Sequence, residues 1–336
     1  MMRFFLILGL TLSLAFVSLL YGAVDIPSIE IIKVLFGSTD VNPVWRVIII
    51  ESRLPMTLTA LFSGASLSVA GLMLQTTFQN PLAGPSILGV SAGASLGVAI
   101  VMLAGGSIVA APGAMQYISC VAGAVVGAGA VILILLLFSS ILKGATQLLI
   151  AGIMVGYIAS SAISLLNYFA PAEGVKSFVV WGLGSFGGVT VGELPFFIIF
   201  LAIMLLASLL LAKPLNALLL GERYAANMGY SIRRMRTILL GVSGILTAIV
   251  TAFCGPIGFI GLAVPHIARM IFKTSNHTIL IPATILCGAA LSLLCNIMTV
   301  MPGSSGVIPI NAVTPFAGVP VILYILINRR KIRYLN

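Results

Sequence analysis

Side chains that could carry out catalysis or bind a metal are sparse in this chain. His266, beside Pro265 and near the end of an apolar segment, is the ionisable residue nearest to the interior of any predicted span. A single histidine of this kind is more often a hydrogen-bonded structural residue than a ligand. The sequence has neither a G-x-x-x-x-G-K-[ST] phosphate loop nor an H-E-x-x-H zinc motif. We therefore predict that the chain is not an enzyme and does not itself hydrolyse nucleotides.

The cysteines and the scarcity of buried charge argue against cofactor and ion-coupled chemistry. All four cysteines lie in apolar stretches without C-x-x-C spacing, which predicts small buried side chains and neither a disulfide framework nor a metal site. Proton-driven and ion-driven carriers usually keep a charged residue inside the membrane. The sequence therefore predicts no cofactor and disfavours a proton-driven carrier. The cysteines are Cys120, Cys254, Cys287 and Cys295.

The composition places most of the surface in lipid. Of the 336 residues, 60% are hydrophobic and 7% are charged, whereas a soluble domain carries about 25% charged residues. So few charges cannot cover a water-facing surface, and the sequence predicts an all-α polytopic membrane protein with one domain over residues 1–336. In such a chain the net charge of +10 is interpreted as a topology signal, with no nucleic-acid partner.

Ten apolar segments are candidates for membrane-spanning helices. The first is longer than a signal-peptide core and lacks an A-x-A cleavage site, so we predict that it is retained. Residues 29–36, in the polar stretch after it, have the spacing of a short surface helix. The ten segments cover residues 4–24, 54–78, 86–103, 115–138, 147–169, 194–211, 237–254, 256–271, 279–300 and 311–327.

The distribution of lysine and arginine predicts the orientation. With both termini in the cytoplasm, 13 of the 17 Lys and Arg residues lie inside, in accord with the positive-inside rule. Six of the seven acidic residues, including Asp40 and Glu173, then lie outside together with Lys33, Arg46, Arg53 and Lys176. The inner residues are Arg3, Lys143, Lys213, Arg223, Arg233, Arg234, Arg236, Arg269, Lys273, Arg329, Arg330, Lys331 and Arg333.

Three segments interrupt the apolar pattern. Residues 80–90 and 255–262 are rich in Gly and Pro and lie five spans apart. Because an odd offset inverts direction, spans two to five and seven to ten are predicted to be inverted halves whose breaks flank a central path. Ordinary Gly/Pro turns are the alternative.

The third segment, residues 213–236, is the longest inner connection. Pro214 suits the first turn of a helix and Gly221 its end, while Glu222 and Gly229 suit the start and end of a second short helix. A capped, partly apolar loop of this kind predicts contact with a soluble partner. Alternatively, its basic residues only hold the loop in the cytoplasm.

Nine motifs, spread over nearly the whole chain, resemble those of the FecCD family in their order. These proteins are permease subunits of ABC importers for ferric siderophores, haem and cobalamin. The resemblance implies a homodimer of ten-helix subunits in the cytoplasmic (inner) membrane, a cytoplasmic ATPase dimer and an outer substrate-binding protein. The motifs are Arg53-Leu54-Pro55, residues 64–71, Gln75, Asn80-Pro81-Leu82-Ala83, Leu88-Gly89-Val90-Ser91, residues 181–186, Leu220-Gly221-Glu222, residues 255–259 and residues 265–269.

The resemblance also implies roles for individual residues. A cytoplasmic gate would consist of Asn80, Leu82, Ala145 and Thr146. Gly152 and Gly156, a small-x-x-x-small pair in the fifth helix, would border the translocation path, although packing alone also explains them. The ATPase-coupling element would contain Leu220, Gly221, Glu222, Arg223, Ala225 and Gly229.

The chain departs from the family pattern near the outer face. Met56 stands where many relatives have a second arginine, and residues 307–311 read Val-Ile-Pro-Ile-Asn where many have Glu-Leu-Pro-Ile-Gly. Arg53 is therefore predicted either to dock the binding protein or only to anchor the helix at the membrane surface. The sequence does not decide whether the cargo is a siderophore complex, haem or a corrinoid. An ATP-independent channel or facilitator remains the alternative function.

Overall fold

The computed structural model describes residues 1–22, 24–38, 41–104, 114–142, 144–300 and 308–327. Within these ranges the protein is built from helices connected by turns, which is the all-α fold that the sequence predicts. The helices are α1 (Met2–Leu20), α2 (Ser28–Leu35), α3 (Pro43–Val47), α4 (Leu54–Thr77), α5 (Val90–Ala99), α6 (Ala114–Ile141), α7 (Ala145–Phe169), α8 (Ala172–Gly182), α9 (Leu194–Leu210), α10 (Ala212–Leu219), α11 (Glu222–Asn227), α12 (Ile232–Cys254), α13 (Ile260–Phe272), α14 (His277–Thr299) and α15 (Ile310–Ile327).

Each of the ten predicted apolar segments contains a helix. Six of the described helical segments are long and apolar enough to cross a membrane, or seven if the bent pair α9 and α10 forms one span. Three shorter apolar helices, Val90–Leu103, Ile260–Phe272 and Ile310–Tyr324, account for the other three segments. The protein is therefore polytopic, while the count of ten spans and the inverted halves stay predictions. Asp40, Lys143, Val307 and the basic cluster 329–333 lie outside the described residues.

Besides a short 3₁₀ turn at Phe186–Gly188, two longer helical regions were not predicted from the sequence. A π-helical turn, Ile48–Arg53, joins α3 to α4, so that helix runs without a break from Pro43 to Thr77. Between the fifth and sixth apolar segments, α8 begins after Pro171 and carries Glu173 in its first turn. Both lie in stretches of mixed polarity, where hydropathy alone does not distinguish a surface helix from a loop.

The core forms around α4, most of which is buried. Small residues allow its neighbours to approach closely, as is usual for helices packed in membranes. A Cβ atom built on Gly71 would lie 1.7 Å from the carbonyl oxygen of Gly261 in α13, and one on Gly64 would lie 2.3 Å from that of Gly288 in α14. In contrast, most of α6 and α7 is exposed in the single chain. These two helices therefore face lipid or another subunit.

Candidate functional site

The break after α4 begins with a Schellman turn. The N–H of Asn80 donates to the carbonyl of Gln75 (3.1 Å), and the N–H of Gln79 donates to that of Thr76 (3.3 Å). Gln79 adopts a left-handed φ of 47°, which costs a residue with a Cβ atom about 1–2 kcal/mol. The chain thus turns sharply at Gln79, and contacts elsewhere must offset the free-energy cost of its left-handed backbone.

The turn formed by residues 79–82 is held from several directions. The side-chain oxygen of Asn80 accepts a hydrogen bond from the N–H of Leu82 (2.9 Å), while the Leu82 side chain stays exposed. The Gln79 side chain donates to the carbonyl of Leu218 in α10 (3.1 Å). His266 Nε2 lies 2.8 Å from the carbonyl oxygen of Pro81. The 79–82 turn is therefore tied to both α10 and α13.

His266 belongs to a small polar cluster between α4 and α13. Arg269 donates to the side-chain oxygen of Gln75 (2.8 Å), and the Gln75 amide donates to the carbonyl of Leu262 (3.1 Å). Among the described residues, no group of three or more His, Cys, Asp or Glu side chains could hold a metal ion. The histidine thus has the hydrogen-bonded structural position that its sequence context favours.

Two G-x-S-x-G runs in this region have no catalytic setting. They start at Gly89 and Gly93, and their serines, Ser91 and Ser95, lie within the regular helix α5. A nucleophilic serine of this motif requires a sharp strand-to-helix turn. Ser91 Oγ instead lies 3.4 Å from the hydroxyl of Thr251.

The fifth apolar helix, α7, packs against the end of the same break. Gly89 has φ of 76°, and a Cβ atom on it would lie 2.8 Å from the Gly152 carbonyl oxygen and 3.0 Å from the Gly156 nitrogen. The glycine pair therefore accommodates the backbone before α5, which favours the packing interpretation. Ala145 packs against the hydrophobic cluster that contains Ala83, whereas Thr146 is exposed at the start of α7.

The second break is held by Asn311, at a position where many members of the family that the sequence resembles have glycine. The Asn311 amide donates to the carbonyls of Pro256 (2.5 Å) and Gly182 (3.3 Å), and its oxygen accepts from the N–H of Gly258 (3.1 Å). Carbonyl and N–H groups in a broken segment need such partners at membrane depth. The sequence departure at this position therefore has a structural role that the sequence alone did not reveal.

The loop over residues 213–236 forms the two short helices that the sequence predicts. Between α10 and α11, Gly221 adopts φ of 104°, and Gly229 follows α11 with φ of 88°. Ala225 is 0% exposed, so its side chain is a packing residue and cannot contact a soluble partner directly. Glu222 forms an ion pair with the buried Arg236, which fixes α11 to α12.

This loop exposes three large apolar side chains, which we call the 220–228 stripe. Leu220, Tyr224 and Met228 are spaced four residues apart and are 64%, 50% and 57% exposed. Arg223, Arg233 and Arg234 are exposed nearby. Exposed apolar side chains beside exposed arginines are typical of a surface that binds a soluble partner.

Arg53 lies at the opposite end of the molecule and is 6% exposed. Its guanidinium donates to the carbonyls of Leu19 (2.9 Å) and Leu20 (2.8 Å) and to that of Val24. A cation at the C-terminal end of α1 satisfies carbonyls that lack partners within the helix. Burial argues against docking, because a docking charge must be accessible, and the bonds anchor Arg53 to the end of α1 and not to the membrane surface.

Arg53→Glu is expected to destabilise the permease by about 2–3 kcal/mol or more, because it places a carboxylate against carbonyls that lose their donor. The thermal midpoint of the purified protein in detergent measures this loss. Arg46→Glu makes the same charge change at an exposed position and is expected to leave the midpoint nearly unchanged. Equal midpoints for both variants would contradict the anchoring role.

The described residues form a polytopic helical membrane protein with two hydrogen-bonded breaks and a connection of two short helices packed on the bundle. Its sequence matches the model of the FecCD transport family over residues 10–328. The chain belongs to this family and is an ABC importer permease of the FecCD type.

Individual relatives agree with this assignment. The chain is 34% identical to the vitamin B12 import system permease protein BtuC of Escherichia coli O9:H4 (strain HS), over 86% of this chain and 84% of that one. It is 35% identical to the protein of the same name from Salmonella typhimurium (strain LT2), over 85% and 83%. A solved structure described as an inward-facing conformation of a metal-chelate type ABC transporter superposes with a TM-score of 0.83 and 29% identity, covering 96% of this chain and 98% of that chain.

Proposed function

We propose that the chain forms a homodimer that imports a bulky metal chelate or corrinoid, driven by a separate cytoplasmic ATPase dimer and supplied by an outer binding protein. The 220–228 stripe carries the proposal. It offers three exposed apolar side chains in the loop that we place in the cytoplasm, where an ATPase groove could bury them. In this proposal the loop receives ATP-driven motion, while nucleotide hydrolysis occurs in the partner.

The contacts at one end of the bundle support the proposed orientation, with the N-terminus and the 213–236 loop both cytoplasmic. Arg3 donates to the carbonyl of Ile271 (2.8 Å), and Asn216 donates to the side chain of Asn276 (2.8 Å). The start of α1 and the loop therefore meet the same α13–α14 connection. Single cysteines at Lys176 and Asn227 should label from opposite sides, and labelling of both from one side would refute this orientation.

We place the cytoplasmic gate at the 79–82 turn and the start of α7, with the α7 helices of the two subunits lining the path between them. The exposed side chains of α7 support this arrangement, since Ile150, Tyr157 and Tyr168 are 51%, 65% and 82% exposed in the single chain. Alternating access would follow when ATP moves the 213–236 loops and tilts α7. Arg53 takes no part in docking in this mechanism, because its guanidinium caps α1.

Purification and uptake together test the function. The permease, tagged and expressed with its candidate ATPase and binding protein, should retain the ATPase through gel filtration and take up labelled cargo into proteoliposomes only with internal ATP. Cobalamin, a ferric siderophore and haem, offered separately to the binding protein, distinguish the cargo. Uptake of any of these compounds without the ATPase would instead show that the protein is an ATP-independent channel or facilitator.

A further inference from the structure

A chain of hydrogen bonds joins α10 to the end of α4 through the first residue of α14. The oxygen of Asn216 accepts from the backbone N–H of His277 (2.7 Å) and lies 2.9 Å from its Nδ1. On the other side of the ring, Nε2 lies 2.9 Å from the hydroxyl oxygen of Thr76. His277 is fully buried and Thr76 is nearly so. The imidazole therefore bridges a loop helix and a core helix.

The surrounding donors determine the direction of these bonds. The Asn216 amide nitrogen donates to the side-chain oxygen of Asn276 (2.8 Å), so the Asn216 oxygen must be the atom that faces His277. An oxygen cannot donate, and Nδ1 therefore carries a proton. In the neutral ring Nε2 is then an acceptor, so its bond to Thr76 uses the hydroxyl proton, for which the Leu72 carbonyl oxygen at 3.0 Å competes. The direction of the bond between Asn216 and His277 is therefore fixed, whereas the Thr76 hydroxyl is shared between His277 and its own helix.

A second hydrogen bond links α10 to Gln79, three residues after Thr76 in the chain. Gln79 donates to the carbonyl of Leu218 (3.1 Å), and its left-handed backbone directs the chain into the 79–82 turn. Gln79 thus contacts α10 directly, and Thr76 is joined to α10 through His277. Since Gln79 lies two residues beyond the end of α4, α10 is fastened both to the last turn of α4 and to the turn that follows it.

We propose that Asn216, His277, Thr76 and Gln79 are positioning residues that transmit motion of the 213–236 loop to the 79–82 turn. The inference rests on the proposed function and adds to it the side chains that join the coupling loop to the gate. Small shifts pass between elements when packed and hydrogen-bonded contacts move as a unit. If the two links are removed, the 213–236 loop should still bind the ATPase. The 79–82 turn should then no longer move when the loop moves.

The test uses the complete complex in nanodiscs, with the four native cysteines replaced and Leu82→Cys as a probe on the exposed side of the turn. The rate of maleimide labelling is compared between the nucleotide-free and the ATP-vanadate states. In the parent protein we expect a change of about five-fold or more. Thr76→Val combined with Gln79→Gly should reduce the change to below about two-fold while the ATPase remains bound and active.

Two features separate this role from a purely structural one. Thr76→Ser with Gln79 unchanged keeps the hydroxyl and should retain the full nucleotide dependence. Gln79→Gly alone suits the left-handed turn and tests the second link by itself. If the labelling rate of the double variant changes with nucleotide as much as that of the parent, the inference is overturned while the proposed function stands. Absence of any nucleotide-dependent labelling in the parent would overturn the proposed gate, and the inference with it.

Discussion

Met228→Asp is expected to lower binding-protein-stimulated ATP hydrolysis and uptake by about ten-fold or more while the permease stays folded. Met228 is exposed at the end of the 220–228 stripe, so the substitution removes no internal packing. At the ATPase surface it would replace an apolar contact with a desolvated, unpaired carboxylate. Losses of 2 kcal/mol or more are typical when a central contact of an interface is removed, which corresponds to about 30-fold in affinity. The measurement is ATP hydrolysis by the reconstituted complex with and without the binding protein.

Ser231→Asp is the matched control, because it adds the same charge at an exposed position of the same loop but outside the stripe. It should leave stimulation within about two-fold of the parent, as exposed charges contribute little. Substitution of Ala225 is not a suitable test, since its side chain is enclosed and a larger one would disturb folding. Equal stimulation in the Met228→Asp and parent complexes would remove the stripe from the coupling mechanism.

Gly71→Ala is expected to prevent correct packing of the core. The added methyl group would lie 1.7 Å from the Gly261 carbonyl oxygen, a backbone atom that no side-chain rotation can move. Overpacking commonly costs about 1–3 kcal/mol, and here α4 and α13 would have to separate along their crossing. Because α13 also carries His266, which contacts the 79–82 turn, a shift of α13 should also displace the proposed gate. We expect a large loss of monodisperse protein and a lower thermal midpoint.

Gly129→Ala provides the comparison within another membrane helix. A Cβ atom at Gly129 meets nothing within 4 Å, so the substitution should be neutral or stabilising by up to about 1 kcal/mol through helix propensity. Unequal outcomes for the two alanine variants would show that backbone contact, and not loss of glycine itself, sets the cost. A normal yield and midpoint for Gly71→Ala would contradict the close crossing.

The sequence by itself determined the class of protein and the location of its apolar helices. A chain with few charges and long apolar runs must place most of its surface in lipid. No water reaches the backbone there, so the backbone must satisfy its hydrogen bonds locally. Gly221 and Gly229 could be recognised as ends of short helices from their type alone, because glycine readily adopts the positive φ that helix ends require. The order of the motifs was enough to identify the family, because each motif is a local pattern.

Tertiary structure alone decided which side chains meet. Arg53 bonds to carbonyls of α1, and His277 joins Asn216 to Thr76, although these residues are far apart in the sequence. Whether Ala225 faces inward and Met228 outward depends on how α11 rests on α12. Helix formation is local, but the rotation of one helix against another is set by close packing among distant residues. Spacing along the chain therefore predicted the loop that could meet a partner, while packing selected the side chains that could touch it.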